Sequence, residues 1–173
     1  MRYLLVTCLI FPYLGYAQLE NFILEKGQVY FQKTYQLDSM NSNKVERALT
    51  LNVPKLKDVF DFSKAGDVIT AKIKDATIDY KKYGGKWGNT SAFLNHPFFG
   101  DVSIVWKDNK YRVSVNNIYF NVAGFGIIKC SDFFTKNKGE EFNSTKIFLS
   151  SVQYMDRHLS ELFMVDVKNN EDW

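Results

Sequence analysis

Cysteine is nearly absent from this chain, which carries only Cys8 and Cys130. With Cys8 inside an N-terminal leader, Cys130 stands alone. No disulfide framework can then staple the fold, and a packed core must hold it. Ile127-Ile128 before Cys130 and Phe133-Phe134 after it mark a buried, inert thiol. A charge excess is missing too. The 22 Lys+Arg against 19 Asp+Glu give a net charge of +3, too balanced to argue for a nucleic acid or an anionic membrane as partner. Long apolar runs are also lacking, since Leu4 to Leu14 falls short of the roughly 18 to 20 residues that span a bilayer, so no stable membrane span remains once a leader is removed.

Signatures of catalysis are equally sparse. Neither Gly-x-Ser-x-Gly nor a phosphate loop occurs, and Gly124-Phe125-Gly126 has no third glycine. Asp58 with Asp61, and Asp75 with Asp79, lack the glycine-centred loop of a calcium site. They read as surface charges, and no metal or other cofactor is expected. His158 reads as a solvated or edge residue of the C-terminal helix. His96, in Asn95-His96-Pro97, sits on a loop with no Cys, Asp or Glu beside it at ligand spacing.

What is present begins with a secretory leader over residues 1–17: Arg2, the apolar run, and Gly15-Tyr16-Ala17 at the cleavage positions. This address predicts a secreted or periplasmic protein. The remainder suits one domain, residues 18–165, with a polar tail over 166–173. Its clearest element is a hairpin. Val102, Ile104 and Trp106 alternate with polar residues, Asp108-Asn109 makes the turn, and Tyr111, Val113 and Val115 alternate again. Such a pair buries one face and needs a cover. Phe148, Val152, Met155, Leu159 and Leu162 provide one, stepping by four and three along a helix from Asn143 to about Val165, with Ile147 and Met164 widening the stripe.

Upstream, Gly27 to Leu37 reads as a strand with Val29, Phe31, Tyr35 and Leu37 on one face. Asn41 or Ser42 caps a helix through about Leu51, with Val45, Ala48, Leu49 and Leu51 inward, and Pro54 stops it. Leu56 to Phe62 reads either as a continuation of that helix or as an irregular link. Asp67 to Tyr80 is a strand whose alternation slips by one near Lys74-Asp75, through a β-bulge in preference to a tight hairpin. Lys81 to Phe99 reads as a loop, Ile127 to Phe134 as a short apolar piece of either type, and Thr135 to Glu141 as a polar linker. The order β-α-β-β-β-α predicts an α+β fold: a twisted antiparallel sheet of four to five strands with two helices on one face.

Ala17-Gln18 at the cleavage point, Ala65-Gly66-Asp67-Val68-Ile69-Thr70-Ala71-Lys72-Ile73, the hairpin Val105-Trp106-Lys107-Asp108-Asn109-Lys110-Tyr111-Arg112-Val113 and the closing helix together resemble a family of uncharacterised secreted Bacteroidetes proteins. The resemblance spans Gly27 to Val165. It implies a TATA-binding-protein-like fold and brings no catalytic residues with it; DNA binding does not follow from the fold.

The one stretch composed like a recognition surface is the loop from Tyr83 to Phe99, where aromatic rings stand among glycines and polar residues. Tyr83, Trp87, Phe93, His96 and Phe98 are its candidate binding residues, Trp87 foremost; the bland alternative is that these rings fold back as a core cap. The expected function is a non-enzymatic binding module for a protein or glycan partner. The alternatives are a small hydrolase using His96 with a carboxylate brought near by folding, and a structural component of the cell envelope.

Overall fold

The structure, a computed structural model, describes residues 17–165. The expected leader, apart from its last residue, and the expected polar tail lie outside the described residues. In chain order the elements are β1 (Ala17–Leu19), β2 (Phe22–Glu25), β3 (Gln28–Gln36), α1 (Ser42–Asn52), β4 (Val59–Ala65), β5 (Val68–Ala76), β6 (Phe98–Lys107), β7 (Lys110–Val122), β8 (Gly126–Lys129), α2 (Cys130–Phe134), β9 (Thr135–Lys136), β10 (Glu141–Phe142) and α3 (Lys146–Leu162).

The hairpin β6–β7 sets the frame. Val102 lies opposite Val115, Ile104 opposite Val113 and Trp106 opposite Tyr111, all buried, and Asn109 takes the left-handed conformation in the turn (φ 60°). The strands run in the order β1-β2-β3-β7-β6-β5-β4, every pair antiparallel, with β8 pairing the far end of β7. β9 and β10 form a separate two-stranded ribbon.

The α+β class and the antiparallel sheet are as expected, but the sheet is wider than four to five strands. β4 occupies the segment read as helix or link. It is an edge strand with a register shift between Phe60 and Ser63, and Val59 is its one buried residue, so no alternation is written there. β1, β2 and β8 have three or four residues each, too short for periodicity to show. In β5 the slip is a bulge: pairing with β6 shifts between Ile73 and Ala76, and Asp75 has φ 54°. Ile69, Ala71, Ile73 and Ala76 therefore all reach the core.

α1 and α3 cover one face of this sheet. The Asn41 side chain caps α1 by accepting the Lys44 N–H at 3.0 Å; Val45, Ala48 and Leu49 are buried and Leu51 is exposed, contrary to its inward placement. Lys64 of β4, opposite buried Ile69, reaches Glu46 of α1 at 2.7 Å. α3 is shorter than expected at both ends. Val152, Met155 and Leu159 form its buried stripe, whereas Ile147 and Met164 are exposed. Ser151 and Asp156 are polar yet buried, and each has a partner. Ser151 Oγ donates to the Ile147 carbonyl at 2.7 Å and accepts the Ser91 N–H at 3.2 Å. Asp156 accepts from the Asn21 backbone (3.1 Å) and side chain (2.8 Å), tying α3 to the β1–β2 turn.

Candidate functional site

The segment from Lys81 to Phe99 is not one open loop. Two 3-10 turns, Trp87–Asn89 and Ala92–Asn95, shape it, and its last two residues begin β6. It is fastened at several points. The Tyr80 hydroxyl donates to Asn95 Oδ1 (2.9 Å), Thr90 Oγ1 donates to the Lys86 carbonyl (2.9 Å), and the Tyr83 hydroxyl donates to Glu161 of α3 (3.0 Å), which also pairs with Lys82.

This folding separates the candidate residues. Phe93 (4% exposed) and Phe98 (0%) belong to the core. The Phe93 ring stacks on Phe133 at 4.3 Å and meets Phe120 and Phe134 edge-on, while Phe98 packs against Phe120 and His158. These two rings are the core cap and present no surface to a ligand: hydrophobic burial outweighs presentation once both reach the end of the sheet. Tyr83 is half-buried, and its burial together with the Glu161 carboxylate pushes its hydroxyl up to about 12. His96 is half-buried; its backbone N–H donates to the Phe93 carbonyl, and among the described residues its ring has no hydrogen-bonded or ion-paired group. Trp87 remains, 80% exposed.

Other reactive groups are occupied by packing. Burial, reinforced by Asp132, drives the Cys130 thiol well above its usual range, which leaves it un-ionised and unreactive. His158 is half-buried against Phe98, and burial lowers its pKa. Among the described residues no group of three or more His, Cys, Asp and Glu could hold a metal ion. No helix among them is long and apolar enough to cross a membrane.

The face opposite α1 and α3 carries the outward rows of β3, β7, β6 and β5, and sequence reasoning passed over it. Phe99 and Tyr119 stack there at 5.0 Å with planes 4° apart. A concavity of about 410 Å³ lies beside Tyr119, bounded by Gln28, Tyr30, Asn116, Ile127 and Lys129 among others. A second, of about 320 Å³, adjoins Thr34, Val105, Lys107, Lys110 and Arg112.

A TBP-like protein from Parabacteroides distasonis ATCC 8503 shares this architecture with a TM-score of 0.56 at 14% identity, over 86% of this chain and 97% of that one. The fold is TBP-like. A DUF4468 family protein from Bacteroides ovatus ATCC 8483 matches with a TM-score of 0.46 at 12% identity, over 80% of this chain and 84% of that one. No family model matches the chain, nor does any curated protein. The resemblance read from the hairpin and the closing helix is met in the fold of the Parabacteroides protein, and at 14% identity that likeness speaks for fold alone. Within the TBP-like sheet, the missed signal was already in the outward row Lys107, Lys110 and Arg112. Those residues read as the polar half of an alternation, which hides what they assemble.

Proposed function

We propose that the chain is a secreted or periplasmic, non-enzymatic binding module that takes a protein or glycan partner on the loop bearing Tyr83 and Trp87. The observation that carries this reading is the pairing of exposure with anchoring. Trp87 is 80% exposed, while the backbone on either side of it is held by Tyr80–Asn95, Thr90–Lys86, Ser91–Ser151 and Tyr83–Glu161. An indole on a pinned loop loses little further freedom on binding, and large rigid aromatics are the anchors most often found at contact hot spots. The hydrolase alternative has no observation in its favour, because the His96 ring lacks an orienting partner among the described residues.

The test uses the protein with Trp106→Phe and Trp173→Phe, so that emission reports Trp87. The expected result is red-shifted, readily quenched emission that turns blue on adding envelope extract, and loss of the recovered partner when Trp87→Ala is introduced into the wild-type chain. Unchanged partner recovery by Trp87→Ala overturns the loop as the binding surface.

A further inference from the structure

The turn end of the β6–β7 hairpin collects positive charge on the helix-free face. Lys107 lies directly opposite Lys110, and Arg112, two residues on along the same face, lies between Val105 and Thr34. Like charges placed directly opposite on neighbouring strands destabilise a sheet. Elsewhere on this sheet a similar cation is compensated: Lys74 reaches Asp61 at 2.8 Å. At the hairpin end nothing comparable happens, and among the described residues Lys107, Lys110 and Arg112 have no ion pair and no side-chain hydrogen bond. Two of the nearby acids have other partners. Asp108, in the turn itself, accepts the Ser42 N–H at 2.6 Å, and Asp101, further along β6, accepts from Asn117 at 2.8 Å. The three cations share a concavity of about 320 Å³ whose lining includes Thr34 and no carboxylate.

From this arrangement we infer that the hairpin end is a binding site for a tetrahedral oxyanion of the phosphate type, held by Arg112, Lys107 and Lys110. The planar guanidinium binds two oxygens of such an anion at once, the two ammonium groups supply point charge, and the Thr34 hydroxyl adds a neutral donor. The anion would relieve the Lys107–Lys110 repulsion. Asp101 closes the row on the same face, so the charge pattern suits one anionic group and not a long polyanion. The volume falls at the lower end of ligand clefts, about 300 to 1,000 Å³, which leaves room for the group that carries the phosphate. This site is separate from the Trp87 loop.

The probes are inorganic phosphate and glucose 6-phosphate, titrated into the wild-type chain at low ionic strength and followed by calorimetry and amide chemical shifts. Saturable binding with shifts at Lys107, Lys110 and Arg112 is expected. Arg112→Gln and Lys110→Gln each weaken it by about tenfold or more, and Lys55→Gln leaves it unchanged. A sugar phosphate that binds about tenfold tighter than the free ion assigns the site to a phosphate ester; equal affinities assign it to the free anion. A second readout is stability: Lys110→Thr raises the unfolding midpoint in phosphate-free buffer, and phosphate raises the midpoint of the wild type more than that of this variant. Absence of saturable binding of both probes, or equal binding by Arg112→Gln, overturns the inference.

Discussion

The Tyr111 hydroxyl donates to the Phe163 carbonyl at 2.7 Å and accepts the Val165 N–H at 3.0 Å. One side chain in the middle of the sheet thereby fastens the backbone just beyond α3, with its ring stacked on Tyr35 at 4.7 Å. Tyr111→Phe keeps the stack and removes both hydrogen bonds, leaving buried backbone groups without partners. The expected loss is about 1 to 3 kcal/mol in urea unfolding, with an unchanged denaturant slope.

Asp156 does similar work at the β1–β2 turn. Asp156→Ala strips the Asn21 backbone N–H and side-chain amide of their acceptor in one change. A destabilisation of about 1 to 3 kcal/mol is expected, with faster hydrogen exchange at Asn21 than at residues of the β6–β7 hairpin. Equal acceleration at both places would show global rather than local loosening.

The sheet-facing His158 couples stability to pH. Burial is the largest influence and lowers its pKa, as do Lys82 and Lys57, whereas Asp58 and Glu161 oppose the shift. The fold therefore prefers the neutral ring, and the unfolded chain binds the proton first as pH falls below about 6.5. The stability this preference contributes is complete above that pH and is lost as pH falls through the lowered value of the fold. His158→Phe should flatten the decline of the urea midpoint just below pH 6.5 and leave the steeper acid limb of the carboxylates in place.

Gly85 lies where the loop passes closest to its own start. A Cβ there would stand 2.8 Å from the Tyr80 carbonyl oxygen and 2.9 Å from its ring. Backbone cannot retreat as a flexible side chain can, so Gly85→Ala should cost about 1 to 3 kcal/mol. In the single-Trp protein it should also lower the anisotropy of Trp87, because the anchor on one side of the indole is displaced.

The elements legible in the sequence were those whose pattern repeats over enough residues. The Val102–Trp106 and Tyr111–Val115 alternation and the Val152, Met155, Leu159 stripe each recur at a fixed period with one face against the core, and the Asn41 cap was legible from its residue type just ahead of an apolar-periodic run. The bulge at Asp75 was legible because the phase changed within one strand. β4 was not, since an edge strand that buries only Val59 writes no period, and the three-residue β1 writes none at all. Nothing in the pattern marks the polar Ser151 and Asp156 as buried, because their burial depends on partners 60 and 135 residues away in the chain. The aromatic loop misled differently: composition gave Phe93, Phe98 and Trp87 the same reading, and only the end of the sheet, assembled from distant strands, decides which rings it covers.

The bulge at Asp75 has a counterpart. Pairing of β6 with β7 also shifts by one residue, between Phe99 and Asp101, where Asn117 has φ 50°, so both neighbours of β6 carry an extra residue at the same level of the sheet. At that level Gly100 is required, because a Cβ would come within 2.8 Å of the Val115 side chain. β6 therefore works like a key between two notched rails: sliding it by one residue along either neighbour misaligns both notches and drives a side chain into Val115. A β6–β7 hairpin formed one residue out of register therefore cannot be completed by β5 without misplacing both bulges, so the two bulges together pin the alignment of three strands.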